Sequence, residues 1–189
     1  MTRLGNSLSS GDRTLQLDID ELRINDRRLT AVHEAAHVTV AAVLGVRAKA
    51  SIWPYETDTP KSEKTYAGDC SLADSSDEKR AVIGIAGFVA ENLADGDDIA
   101  ENIIAEDILE DIAEADDSFS PTDRELLEAG PQGAYEAVLE AVNILTEYKW
   151  LHKLLTEGLI EFGEVTDGVI EDTFRGGPCD LQRILHEED

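Results

Sequence analysis

From Leu29 to Leu44 the chain runs without a proline or a glycine, and inside that run stand His33, Glu34 and His37 in the order His-Glu-x-x-His. On a helix, positions four apart lie one turn above each other on the same face, so both imidazoles can address one point about 2 Å from each. Two neutral imidazoles with an adjacent carboxylate are the donor set of a hydrolytic zinc site. The histidines would hold the metal, and Glu34 would take a proton from the water that the metal activates. This geometry requires a helix, and the sequence marks both of its ends. Asn25 and Asp26 are capping residues, and Gly45 follows the last apolar position. Leu29, Val32, Ala36, Val40 and Val43 or Leu44 recur at steps of three and four, which predicts a buried stripe with His33 and His37 at its border. The same letters also describe a plainer object, two histidines packed at a helix border with Glu34 in solvent.

With 189 residues, 42% of them hydrophobic, the chain is long enough for one domain with a real core. Its formal charge of -25, from 41 acids against 16 bases, argues against nucleic acid or an anionic membrane as a partner and favours basic ones. The longest apolar run, Ala81 to Ala90, is about half of what a bilayer span needs. Met1 to Asp12 is polar, without the apolar stretch of a secretory signal, so a cytoplasmic location is expected. Cys70 and Cys179 are isolated thiols without the spacing of a zinc ribbon or a redox pair.

Taken in order, residues 1–24 read as a mobile or weakly structured segment, with a short strand at Leu15, Leu17 and Ile19. Residues 25–175 read as the domain, and 176–189 as a tail. After the His-Glu helix, Val46, Ala48, Ala50 and Ile52 alternate with polar neighbours, Trp53-Pro54 ends the run, and Tyr66 to Leu72 returns, which predicts a hairpin. Such an edge can bind an extended peptide backbone by strand addition, or serve structure alone. Ser75 and Glu78 form a capping box for a helix reaching about Asp95, apolar on all sides and therefore buried, in which Gly84 and Gly87 permit close approach of another helix. Glu91 near its end needs a partner if buried. It would orient a metal-site histidine, bind metal itself, or reach solvent at the helix border.

Asp97 to Asp117 holds ten acids and no base, yet Ile99, Ile103, Ile104, Ile108 and Ile112 keep a helical period, as in an acidic amphipathic helix. Ser120-Pro121 opens another helix, with Asp123 in its first turn, where an acid is favoured by the helix dipole. Val138, Val142, Leu145, Tyr148, Leu151 and Leu155 form the seam of one long helix ending near Gly158 or Gly163, with His152 just off the seam. A short helix from Asp167 to Phe174 follows.

The order of these pieces carries a resemblance. His33-Glu34-Ala35-Ala36-His37-Val38, a strand, Ile85-Ala86-Gly87-Phe88-Val89-Ala90-Glu91, and then an acid opening a helix resemble the peptidase domain of the FtsH-type ATP-dependent zinc proteases. Ile144 to Glu171 looks like that family's C-terminal helices, so the likeness covers roughly residues 26 to 172. It implies zinc held by His33, His37 and a downstream aspartate, with Glu34 as the base. Asp123, which follows the alanine-glycine helix and opens a helix, is the first candidate for that aspartate. Asp180, in Cys179-Asp180-Leu181-Gln182-Arg183, matches the letters better but comes after the C-terminal helices, and is held in reserve. Ala36 stands where the family has glycine, and the acidic segment lengthens the gap before the third ligand. The family's ATPase module and membrane anchor have no counterpart here, so the resemblance implies a stand-alone peptidase-like domain.

These readings together predict a mainly helical α+β domain with a small β-hairpin or sheet after the His-Glu helix. It would be a zinc metallopeptidase acting on peptides or proteins, basic or unfolded ones in particular. The rival readings are a non-catalytic, zinc-stabilised module that recruits a basic partner through its acidic surface, and an acidic protein that imitates nucleic acid.

Overall fold

The computed structural model describes residues 10–55, 65–95 and 134–184, and side chains within 23–55, 65–93 and 135–176. It is mainly helical with one small antiparallel sheet, as the sequence predicts. Helix α1 spans Ser10–Val43 and is followed by strands β1 (Ala48–Pro54) and β2 (Tyr66–Leu72) and by helix α2 (Asp77–Asp95). Helices α3 (Ala134–Glu147) and α4 (Lys149–Phe162), the two-residue strand β3 (Glu164–Val165) and helix α5 (Asp167–Ile184) complete the described chain. Among the described residues no helix is long and apolar enough to cross a membrane.

Helix α1 is the axis of the molecule, packed by α2 on one side, by α4 on another and by the sheet. Its core surface is built from small residues. Ala31, Ala35, Ala36 and Ala41 are fully buried, together with Val38 and Val40. Its end matches the sequence reading. Gly45 adopts φ 70°, and the amides of Gly45 and Val46 bond back to the carbonyls of Ala42 and Ala41, a Schellman closure that needs a left-handed residue. Its beginning does not match. The helix starts at Ser10, so Leu15 to Ile19 is helical rather than a strand, and Asn25 and Asp26 lie inside it. A nucleated helix propagates through a stretch with no breaker, and positions 15, 19 and 22 suit a helical period as well as 15, 17 and 19 suit a strand. Leu29, expected on the buried stripe, is 48% exposed, because the packed part of α1 begins at Ala31.

The hairpin forms as predicted, with Ala50 opposite Cys70 and Ile52 opposite Gly68. Ala48, Ala50 and Ile52 point into the core while Lys49 and Trp53 face out. Strand β3, too short to leave an alternation in the sequence, adds to the other side of β1 through Ala50–Val165 and Ser51–Glu164, giving the order β2-β1-β3. Helix α2 is buried through Val82, Ile83, Ile85, Ala86, Val89 and Ala90. The Ser75–Glu78 capping box does not form: the Ser75 hydroxyl has no hydrogen-bond partner, and Ser76 offers its carbonyl to Arg80.

The predicted single helix over 138–155 is two helices. Tyr148 leaves helical geometry at φ -102° and ψ 28° and packs its ring 5.8 Å from Phe174 of α5. Helix α4 ends at Gly163, left-handed at φ 78°, and not at Gly158. Helix α5 continues past Phe174 through Gly176-Gly177-Pro178 to Ile184, where a tail was expected from 176. Proline removes one backbone donor, and the helical bonds on either side outweigh that loss.

Candidate metal centre

Helix α1 presents His33 and His37 toward α2, one turn apart, with ring centroids 4.8 Å apart and planes inclined at 72°. Rings bound tetrahedrally to one zinc have centroids roughly 5 Å apart, since each nitrogen stands about 2 Å from the ion. Helix α2 engages both rings at the same atom. His33 Nδ1 lies 2.8 Å from Glu91 Oε1, and His37 Nδ1 lies 2.6 Å from the carbonyl oxygen of Ile83. A carbonyl and a carboxylate accept, so Nδ1 donates in each case. In the neutral imidazole that leaves Nε2 with the lone pair. This is how a metal-binding histidine is usually prepared, with one nitrogen held by an acceptor and the other turned to the ion.

Glycine makes room for both parts of the motif. A Cβ at Gly87 would fall 2.4 Å from His33 Nε2, 2.5 Å from Cε1 and 2.6 Å from Cδ2. Three nearly equal distances place that carbon over the face of the ring. The α2 backbone therefore stacks on the imidazole and does not stand in the plane where the Nε2 lone pair points. A Cβ at Gly68 of β2 would fall 2.4 Å from Glu34 Oε1 and 2.5 Å from its Cγ, so the strand crosses directly over the Glu34 side chain. Glu34 is only 7% exposed and His37 only 3%, whereas the Glu91 carboxylate reaches both His33 and solvent.

Two further residues hold the surrounding frame. Asp26, two turns before His33 on α1, accepts hydrogen bonds through Oδ2 from the Thr65 amide, from the Thr65 hydroxyl at 2.8 Å and from the Tyr66 amide at 2.6 Å, fixing the start of β2. On α4, half-buried His152 donates from Nε2 to the Val32 carbonyl at 2.9 Å. Burial holds its imidazole below the ordinary value of 6.5, against the opposing pull of that carbonyl.

The predicted residues His33, Glu34, His37 and Glu91 are thus brought together, with Glu91 placed at the ring's Nδ1. Asp123 lies outside the described residues. Asp180 sits on α5, with its side chain outside them as well. Among the described residues no group of three histidine, cysteine, aspartate or glutamate side chains is close enough to hold a metal ion. What they supply fits a zinc site in part: two imidazoles in the required tautomer, a buried carboxylate beside them, and an acceptor behind each ring. Sequence reasoning missed the Ile83 carbonyl, because a backbone acceptor leaves no letter. It also missed the bonds of Asp26 and His152, whose signal was only a polar residue beside an apolar seam. No protein-family model matches the chain, and no curated protein matches it.

Proposed function

We propose that this chain is a zinc-dependent metallopeptidase domain of the FtsH-like kind, hydrolysing peptide bonds with Glu34 as general base. The observation that carries the reading is the pair of Nδ1 hydrogen bonds from His33 to Glu91 and from His37 to Ile83, which make Nε2 the lone-pair nitrogen of two imidazoles one helical turn apart. His33 and His37 would hold the ion. The third ligand implied by the family resemblance is assigned to Asp123, with Asp180 in reserve. Zinc bound there would supply a Lewis acid that lets water lose a proton near neutrality and that stabilises negative charge on a carbonyl oxygen.

The protein's own groups have separate tasks. Glu34, held between α1 and Gly68, accepts the proton of the attacking water and returns it to the leaving amine. Glu91 and the Ile83 carbonyl keep the two imidazoles in one tautomer and one orientation. Among the described residues strand β2 is an edge of the sheet, and it crosses over Glu34, so a peptide added as the next strand would run beside the base. A formal charge of -25 favours cationic substrates.

Elemental analysis of the purified protein, joined to cleavage of an unfolded protein, tests the reading. Wild type is expected to retain one zinc per chain and to cleave. Glu34→Gln should keep the zinc and lose cleavage by about 100-fold or more, and His37→Ala should lose the zinc. Wild type without stoichiometric metal, or Glu34→Gln with undiminished cleavage, would overturn it.

A further inference from the structure

We propose that His152 is a positioning residue for the metal helix: its bond to the Val32 carbonyl sets the register of α1 against α4 at the turn that carries His33. The inference rests on the zinc-site reading given above. Helix α1 meets its neighbours largely through fully buried alanines, Ala31, Ala35, Ala36 and Ala41, with Val38 and Val40 the larger apolar side chains fully buried among them. A surface of methyl groups lets helices approach closely but has few knobs to lock them, so sliding by a fraction of a turn costs little apolar contact. Directed hydrogen bonds are what resist such sliding.

On the α2 side they are His33–Glu91 and His37–Ile83. On the α4 side they are Nε2 of His152 on the Val32 carbonyl and the guanidinium of Arg27 on the Ile160 carbonyl. These two α4 contacts run antiparallel along the helix pair and lie five residues apart on α1. The bond from His152 is the nearer to the site, since Val32 directly precedes His33. In the helical ladder the Val32 carbonyl also accepts the amide of Ala36, so the imidazole occupies its second lone pair. Both faces of the His33 turn are therefore held. The His33 Nε2 keeps its aim only while α1 neither rotates nor slides between them.

The test compares wild type, His152→Leu, His152→Gln and Thr156→Val for zinc affinity by chelator competition, for kcat and KM on an unfolded protein, and for the unfolding midpoint without metal. Glutamine can place an N–H where the imidazole Nε2–H stood. Thr156 lies one turn on, is buried, and among the described residues its hydroxyl bonds within its own helix, to the His152 carbonyl. We expect His152→Leu to bind zinc roughly tenfold more weakly, with kcat falling more than KM rises. His152→Gln should stay within about threefold of wild type, and Thr156→Val should lower the midpoint while leaving zinc affinity alone. Should His152→Leu fail to fold, His152→Asn takes its place, since its shorter amide cannot reach the Val32 carbonyl: weaker zinc binding in His152→Asn than in His152→Gln at a matched midpoint supports the assignment, and equal affinities overturn it. A folded His152→Leu with wild-type affinity, or one weakened only in proportion to its midpoint, overturns it while leaving the zinc reading standing. Wild type that takes up no zinc removes that reading itself, and this inference with it.

Discussion

Gly87 is where the consequences of a single atom are sharpest. The sequence marks it as a place where another helix approaches closely, and the group that approaches is the His33 ring, lying face-on to the α2 backbone. Gly87→Ala would put a methyl group within 2.4–2.6 Å of three ring atoms, closer than carbon can stand to them. We expect that substitution to cost about 1–3 kcal/mol in urea denaturation. Because the ring must tilt off Glu91, it should also weaken zinc binding by at least about tenfold. A Gly87→Ala protein with unchanged affinity would show that the ring tolerates displacement. At this scale the motif was legible because helical periodicity alone puts His33 and His37 on one face. The groups behind them were less so. Glu91 is visible as an acid in an apolar run, and nothing in the letters distinguishes a carboxylate at Nδ1 from one bound to metal.

Among the elements, β2 depends on α1 through Asp26, a residue that reads in sequence as a helix cap. Its carboxylate satisfies two backbone amides and a hydroxyl at the start of the strand. Asp26→Ala should cost about 1–3 kcal/mol, since it strands donors that are partly buried. If β2 is the edge along which a peptide adds, KM should rise more than kcat falls, and Asp26→Asn should recover part of both. Equal kinetics in Asp26→Ala and wild type would remove β2 from substrate binding. The elements that sequence reasoning found are those whose pattern is local: the packed half of α1, the alternating hairpin, and α2 with its continuous apolar run. The break at Tyr148 accompanies a contact with the distant Phe174, and β3 forms by docking of two residues on β1, so neither leaves a local pattern to read. The long N-terminal reach of α1 was hidden because the same leucines and isoleucine fit two periods.

Across the whole molecule, His152 gives stability a pH dependence of definite sign. Its imidazole titrates below 6.5 in the folded state, so the unfolded chain takes up the proton first as pH falls. The stabilising contribution is complete above the unfolded value and is lost as pH drops through the folded one. Wild type should therefore lose urea stability relative to His152→Gln between about pH 7 and 5. Taking the difference between the two proteins cancels the titration of the other histidines and of the acids that set the net charge. Parallel curves would show that the ring is solvated. A broader consequence follows from the placement of His33, Glu34 and His37 in the buried middle of one continuous rod, with no loop carrying any of the three. These three side chains have no private melting of their own, and on heating they should keep their arrangement until the molecule cooperatively gives way, with the histidine ring resonances and the calorimetric transition changing at one temperature.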